Sequence, residues 1–439
     1  MKTKILIVVV LGCLATIVTI VRFQDSIGID FYQYWGIAKA QKWSLSPLGS
    51  PYIEQYYAKV LNAHIAGSSD LRLIKANERR RELQPFQTPL CYSIFTLLPA
   101  NYSIAFGIFQ ILQIILFLSA IVMLSAVYYG NWLRLLSAAL LLLILYEPFM
   151  DDSRVGNLNC FQLFGFVSIL VLADSVLEKT YYHSAIGAST LLMGMMVFLT
   201  LFKPNIGIVI LLLATYLWVR QGMTFFARAL PGAVAFGAVI WTLPCLQFDS
   251  WTVWQDWYRY FRTWDSAGFL ALIPYGNFST ALLVSKVLGV SVSGSVFLLA
   301  ALLVASMLIA FIMAGAKEKS LVKGMIRSII RLLRDPHLTV AAGITATLIL
   351  SPLVWFHYYT ISLLPAFWLL SPRHSWRQAA RAGFISIILT SNILPGVLEI
   401  VSGVTSINVS YGTVVLGLGP LWAGVLAAIA SQEGRGQPA

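Results

Sequence analysis

The chain has 439 residues, of which 58% are hydrophobic and only 11% are charged. Soluble domains carry about 25% charged residues, so this chain lacks the charge needed to cover a water-facing surface and is predicted to be an integral membrane protein. Its formal net charge of +12 does not indicate nucleic-acid binding, because the basic residues are dispersed between apolar segments.

Apolar runs suited to membrane-spanning helices recur along the whole chain. A span needs about 20 apolar residues, with a range of about 17 to 25. We predict an all-α, polytopic helical bundle of about twelve transmembrane helices, forming a single domain over residues 1–439. The first run continues to Arg22 and is therefore predicted to be an uncleaved span rather than a signal peptide. The predicted spans are 4–22, 102–128, 132–147, 157–177, 182–201, 205–219, 228–247, 292–315, 337–354, 357–371, 381–396 and 409–429.

The positions of lysine and arginine predict the orientation. With the N-terminus inside and every span alternating, the inner connections receive most basic residues, including the run from Lys317 to Arg334. The short outer connections receive little beyond Arg154 and Lys203. We therefore predict a multi-pass protein of the inner (plasma) membrane with both termini cytoplasmic.

Two long non-cytoplasmic segments remain, 23–101 and 248–291. In the first, Asp70 is a predicted N-cap for the basic amphipathic stretch 71–81. That helix either lies on the membrane surface and attracts lipid phosphates, or packs on the loop. The second segment is rich in tryptophan, as in a belt at the outer headgroups. Its tryptophans are Trp251, Trp254, Trp257 and Trp264.

Asp30 is the first candidate for chemistry, because it follows the first span within an aromatic stretch, Phe31 to Trp35. A carboxylate that is partly desolvated among aromatic rings is a better base. The alternative is an ordinary N-cap for the helix that follows.

A polar stretch follows the third predicted span. Asp151, Asp152 and Arg154 either bind a metal or form a surface ion pair, and the surface pair is favoured. Asn157 and Asn159 stand at the mouth of the next span, where they either hydrogen-bond sugar hydroxyls or cap the helix.

Lys203 and His357 are the remaining candidates. Lys203 lies in a tight turn between two spans, where it either holds a phosphate beside a helix N-terminus or extends to the interface. His357 either donates to a phosphate or relays a proton, or it is an interfacial histidine among aromatic residues. Asp30, Lys203 and His357 all reach the same membrane face, which predicts a shared polar cavity. No Walker motif, GxGxxG or HExxH accompanies them.

Five short motifs follow one another along the chain: Asp30-Phe31-Tyr32-Gln33-Tyr34, Pro89-Leu90 through Leu98-Pro99, Gly156-Asn157-Leu158-Asn159, Lys203-Pro204, and Ser351 through His357. In these motifs the sequence resembles glycosyltransferase family 87, polyprenyl-phosphate-sugar-dependent and mannosyltransferase-like enzymes with the C-type (GT-C) membrane fold. A Gly-Gln-x-Asn pattern of the family has Asn157 in place of the glutamine, and Gln87-Thr88 stand where an aromatic residue is expected before a proline pair.

The resemblance implies an inverting transfer of a sugar, mannose or another hexose or pentose, from a polyprenyl-phosphate donor to a lipid or glycan acceptor. Asp30 would be the general base, and His357, also catalytic, would stabilise the leaving phosphate together with Lys203. The implied partners are the polyprenyl-phosphate-linked sugar, the acceptor and membrane lipids, with no nucleic acid, no metal site and no cofactor. The predicted substrate-binding residues are Tyr34, Arg154, Asn157, Asn159, Lys203, Asn277 and Trp355.

Two other functions compete with this one. A multi-pass transporter or lipid flippase also uses about twelve helices, but it would place ionisable residues near the membrane midplane in broken helices. A glycan polymerase or ligase would share the lipid-linked donor but take a glycan chain as acceptor.

Overall fold

The computed structural model describes residues 2–44, 49–52, 54–80, 83–129, 132–178, 182–263, 277–316, 321–333, 335–371, 377–393 and 407–430. In these ranges the regular structure is helical, with one isolated β-bridge between Asn277 and Trp355. The first helices are α1 Lys2–Phe23, α2 Ile29–Trp43, α3 Glu54–Ala66, α4 Leu71–Arg80, α5 Pro89–Phe95, α6 Tyr102–Tyr129, α7 Trp132–Leu145, α8 Glu147–Val155, α9 Asn159–Glu178 and α10 Tyr182–Phe202. They are followed by α11 Gly207–Gln221, α12 Met223–Gln247, α13 Val253–Thr263, α14 Thr280–Leu288, α15 Val292–Ala316, α16 Leu321–Leu332, α17 Pro336–Leu350, α18 Leu363–Leu370, α19 Arg377–Thr390, α20 Ile407–Leu416 and α21 Leu418–Ala430. Short 3-10 segments, Pro204–Ile206 and Phe356–Ser362, precede α11 and α18.

Several helices have the length and composition of membrane spans. Five in the described ranges qualify outright, and α8 with α9 adds a sixth if this pair, bent by 120°, is one broken span. Further apolar helices are shorter, such as Gly187–Phe202 and Pro336–Leu350. The prediction of an all-helical polytopic membrane protein is therefore confirmed, whereas the count of twelve spans stays a prediction. The five are Tyr102–Tyr128, Pro204–Gln221, Met223–Gln247, Val292–Ala316 and Gly412–Ala430.

The surface of α12 illustrates why these helices need lipid. Val234, Val239 and Leu246 are each more than 60% exposed along one helix. A continuous apolar surface of this kind is unfavourable in water but costs nothing against hydrocarbon chains.

One end of the bundle gathers the segments that will form the candidate site. The hydroxyl of Tyr102, at the start of α6, donates to the carbonyl of Ile27, just after α1, at 2.6 Å. The Thr88 hydroxyl donates to the carbonyl of Phe202, the last residue of α10, at 3.2 Å. Helix ends that are far apart in the sequence therefore meet here, as alternating spans require.

A second polar cluster lies at the opposite end of the bundle, where α6 and α9 end and α17 begins. The two ring nitrogens of His337, at the start of α17, lie 2.9 Å from the Tyr128 hydroxyl and 3.1 Å from a carboxylate oxygen of Asp174. Tyr128 is at the end of α6 and Asp174 in the last turns of α9, so these contacts are at the opposite end from Tyr102 and Asn159. Both ring nitrogens of His337 are therefore satisfied.

The first long connecting segment, residues 23–101, folds into helices that pack at the end of the bundle where Tyr102 lies. Asp70 caps α4 as predicted, since its carboxylate accepts the backbone N–H groups of Arg72 and Leu73. Leu73 and Ala76 are buried, and the Tyr32 hydroxyl donates to Asn77 at 2.8 Å. These contacts favour the second of the two interpretations, in which the basic helix packs on the loop.

In the second segment, Trp254 is buried and stacks on Trp241, with ring centroids 5.0 Å apart. The predicted belt residue Trp264 lies outside the described residues, and so do Lys317 and Arg334, which bound the predicted basic run.

Two buried apolar clusters flank the polar site. One fills the helical bundle and includes Cys160. The other lies within the first long connecting segment, between α2, α5 and the start of α6, and includes Leu158 and Phe202. Asn159 therefore stands between members of both clusters, at the boundary where the bundle meets the helices of this segment.

Candidate active site

Asp30 lies in the first turn of α2, which begins after Gly28 in a left-handed conformation, with a φ of 68°. Gly28 is the N-cap residue, so the N-cap interpretation of Asp30 is wrong. The Asp30 carboxylate accepts a hydrogen bond from the side-chain amide of Asn157 at 2.7 Å. A guanidinium nitrogen of Arg80 lies 3.7 Å from its other oxygen. The carboxylate is thus held by two groups from different segments.

Gly156 lets α8 approach α2 closely enough for this contact. The N–H of Gly28 donates to the carbonyl of Arg154 at 3.2 Å. Gly156, which ends α8, has a φ of 73°, and a Cβ added there would lie 2.5 Å from the Cβ of Phe31. Only glycine fits both the backbone conformation and the space. The close approach places Asn157 beside Asp30.

We expect Gly156→Ala to impair both folding and activity. The substitution combines a left-handed backbone with a steric clash, so it should lower the free energy of unfolding by at least about 1–3 kcal/mol and separate Asn157 from Asp30. Gly289→Ala is the matched control, because Gly289 also ends a helix in the left-handed conformation, with a φ of 67°, but has nothing within 4 Å of an added Cβ. Thermal unfolding in detergent and a transfer assay would measure both effects. Equal losses in the two variants would contradict a special role of the approach at Gly156.

Lys203 stands between α10 and the 3-10 segment, with only 3% of its surface exposed. Its ammonium donates to the side-chain oxygens of Asn157 at 3.0 Å and Asn159 at 2.8 Å. It also lies 4.6 Å from the centre of the Tyr358 ring. Lys203 is therefore turned into the protein, which excludes the interpretation that it extends to the interface. Burial lowers the pKa of Lys203 to about 8, although nearby carboxylates, Asp152 first, act in the opposite direction.

Asp152 corrects a prediction, because it is fully buried and not part of a surface ion pair. Its carboxylate accepts hydrogen bonds from the side chain of Asn159 at 2.7 Å and from the backbone N–H of Cys160 at 3.0 Å. The connection between the third and fourth predicted spans, which carries Asp152, is itself a helix, α8, and it turns sharply into α9. Asp152 thereby caps the start of α9 and orients Asn159 towards Lys203.

Asp151 and Arg154 do form the predicted ion pair on α8, with a nitrogen–oxygen distance of 3.7 Å. Arg154 lies closer to Glu147, at 2.5 Å, and Glu147 also pairs with Arg22. The Arg154 side chain is 39% exposed, and its contact with substrate stays a prediction.

His357 is buried in the 3-10 segment that follows α17, with 3% of its surface exposed. Its ring lies parallel to that of Trp355, with centroids 6.5 Å apart, and edge-on to that of Tyr358 at 5.2 Å. Because Lys203 lies over the same tyrosine ring, His357 and Lys203 flank Tyr358. The structure therefore brings these two predicted phosphate-binding groups to one place.

Asn277 supports the loop that carries Trp355 and His357. Its side-chain amide donates to the carbonyl of Pro352 at 2.8 Å and accepts the N–H of Val354 at 2.9 Å. The side chain is buried, and its amide is engaged with backbone groups. Its observed contacts are those of a positioning residue, whereas its predicted contact with substrate stays untested.

Tyr34 is also buried, one turn after Asp30 on α2. Burial raises the pKa of its phenol, and the nearby Asp30 carboxylate adds to this effect. The Gln87 amide approaches its hydroxyl at 3.5 Å, so the residue that departs from the family pattern faces the site.

Sequence reasoning missed the roles of three residues at the site, Arg80, Asp152 and Tyr358. The basic stretch 71–81 contained Arg80, but nothing in its pattern indicated which arginine reaches Asp30. Tyr358 lies directly after His357, where the last motif ends, and no pattern in the sequence indicated it. In the described ranges, no group of three or more His, Cys, Asp or Glu residues is arranged to hold a metal ion.

A comparison with protein families matches residues 85–333 to glycosyltransferase family 87, more than half of the chain. Arg154, Asn157, Asn159, Lys203 and Asn277 lie inside the matched stretch, whereas Asp30, Tyr34, Trp355 and His357 lie outside it. Comparisons with curated proteins and with solved structures gave no match. The chain therefore belongs to glycosyltransferase family 87 and is a helical membrane glycosyltransferase.

Proposed function

We propose that the protein transfers a sugar, mannose or another hexose or pentose, from a polyprenyl-phosphate donor to a lipid or glycan acceptor, with inversion at the anomeric carbon. The proposal places the reaction at the non-cytoplasmic face of the inner (plasma) membrane, with both termini cytoplasmic. The observation that carries it is the position of Asn157. Its amide nitrogen donates to Asp30 and its amide oxygen accepts from Lys203, so one side chain sets the base and the cation at a fixed spacing.

The chemistry follows from this spacing. Asp30 takes the proton of an acceptor hydroxyl as its oxygen attacks the anomeric carbon, and the bond from that carbon to the phosphate oxygen breaks. The phosphate gains negative charge as it leaves. Lys203 and His357, which are both buried and both contact the Tyr358 ring, supply the compensating charge.

The nature of the site also argues against the transporter alternative. The polar residues gather at one end of the bundle beside the helices of the outer segment, and membership of a glycosyltransferase family supports transfer chemistry. A transporter would instead keep its ionisable groups near the middle of the spans.

The test of this function uses the purified full-length protein in detergent, radiolabelled polyprenyl-phosphate mannose and a lipid extract from the source. We expect label to move into a new product, and donors carrying other sugars would define the sugar specificity. A parallel incubation with a nucleotide-sugar donor should give no product. Transfer from the nucleotide sugar alone, or transport of the lipid without transfer, would overturn the proposal.

Donor binding should weaken as the pH rises through about 8. Lys203 loses its charge above its lowered pKa, whereas the phosphodiester of the donor keeps one negative charge throughout this range. If binding requires the ammonium, linkage gives a rise in the donor Kd of up to about tenfold per pH unit above pH 8. Titrating the protein with donor at a series of pH values from about 6.5 to about 9.5 would measure the Kd. Lys203→Met, which has no ammonium at this position, is the control. A Kd independent of pH in the wild type would contradict this role of Lys203.

A further inference from the structure

His357 has one ring nitrogen engaged and one free, among the residues that the structure describes. Its Nδ1 lies 3.2 Å from a carboxylate oxygen of Asp151. Its Nε2 is buried and has no hydrogen-bond partner there. A buried ring nitrogen without a partner is unfavourable, so its place in the fold is explained best by a ligand that supplies one.

The carboxylate of Asp151 is held in place from its other side. Its second oxygen faces Arg154 at 3.7 Å, and Arg154 is fastened to Glu147 at 2.5 Å on the same helix. Asp151 therefore sits on α8 between a cation and the imidazole. The contact to His357 is the shorter of the two.

We propose that Asp151 is a positioning residue for His357 in the transfer reaction. Its carboxylate accepts the Nδ1–H, which fixes the orientation of the ring and leaves Nε2 for the substrate phosphate. In the donor complex the ring then donates from both nitrogens, from Nδ1–H to Asp151 and from Nε2–H to a phosphate oxygen. A carboxylate behind a catalytic histidine performs the same two tasks in serine hydrolases.

This inference about Asp151 rests on the proposed function, and the charges balance through the transfer step. The electron pair of the broken bond goes to the leaving phosphate oxygen, and the acceptor proton goes to Asp30. His357 keeps both of its protons and contributes a hydrogen bond and a positive charge. Asp151 touches neither the sugar nor the phosphate and acts only through His357.

Asp152, the neighbouring carboxylate, does a different task. It is committed to Asn159 and the start of α9, and is therefore linked to Lys203 rather than to His357. The two adjacent aspartates thus each support one of the two groups that bind the phosphate.

The test is a double-mutant cycle with Asp151→Asn and His357→Gln. We expect Asp151→Asn to lower kcat at least about tenfold, and to change kcat little further when His357 is already glutamine. Asp151→Glu, which keeps the carboxylate, should restore part of the rate. Asp174→Asn is the matched control, because it removes an aspartate–histidine contact of similar length, 3.1 Å, at the other end of the bundle.

The outcomes separate this proposal from the proposed function. Equal losses on Asp151→Asn with and without His357, or no loss at all, would overturn the positioning role. Affinity for polyprenyl phosphate, the leaving product, provides a measurement that needs no transfer. If the wild type transfers no sugar but binds this phosphate, the same cycle in Kd must show non-additive effects, and additive effects would overturn the inference.

Discussion

Asp30→Asn should lower sugar transfer by about 10² to 10⁴-fold while leaving the fold intact. The amide cannot take the acceptor proton, but its oxygen can still accept the hydrogen bond from Asn157. We therefore expect an unchanged melting temperature and unchanged donor affinity, with the loss confined to kcat. Radiolabel transfer with purified protein would measure it.

Asp25→Asn is the control for this variant, because Asp25 is an exposed carboxylate five residues earlier in the same segment. It should transfer sugar at the wild-type rate. Equal transfer by wild type and Asp30→Asn would remove Asp30 as the base. The acceptor proton would then have to be taken by another group.

Lys203→Met should lower kcat/KM by about 10² to 10³-fold, as expected when one preorganised charge is removed from a developing anion. Methionine keeps much of the length of the side chain but has no donor for the oxygens of Asn157 and Asn159. The change should therefore also raise the donor Kd. Single-turnover transfer and binding of polyprenyl phosphate would separate these two contributions.

Lys286→Met provides the comparison, since Lys286 is exposed on α14, outside the network around Asn157. We expect it to behave as wild type in both measurements. A Lys203→Met protein that is folded and binds and transfers normally would overturn the role of Lys203 in binding the phosphate. Comparing the melting curves of Lys203→Met and Lys286→Met would show whether a loss of binding or transfer results from unfolding.

Much of the architecture followed from composition and local pattern. The helical membrane class was predictable because lipid removes every alternative to internal backbone hydrogen bonding, and because 11% charged residues cannot cover a soluble surface. Asp70 was also predictable as an N-cap, because a helix cap depends only on a few neighbouring residues. The span count was less secure, because α8 breaks sharply into α9 and several apolar helices are short.

The site was predictable only in part. Asp30, Lys203 and His357 stood out because an ionisable group at a membrane edge is costly and needs a reason. The sequence did not distinguish the two adjacent aspartates. Asp152 is buried and hydrogen-bonds to Asn159, whereas Asp151 faces His357. Adjacent residues on a helix point about 100° apart, so the partner of each depends on which segment packs on that side.

The membrane class, the helical state and the set of polar residues in need of partners can all be read from the amino-acid sequence, because they follow from local composition and hydrogen-bonding chemistry. How those polar residues pair depends on the folded arrangement of the helices. The link from Asp30 through Asn157 to Lys203 joins three segments, and it forms because Gly156 lets the end of α8 approach α2 more closely than a side chain there would allow. Such a contact depends on the packing of whole helices, which no local pattern contains.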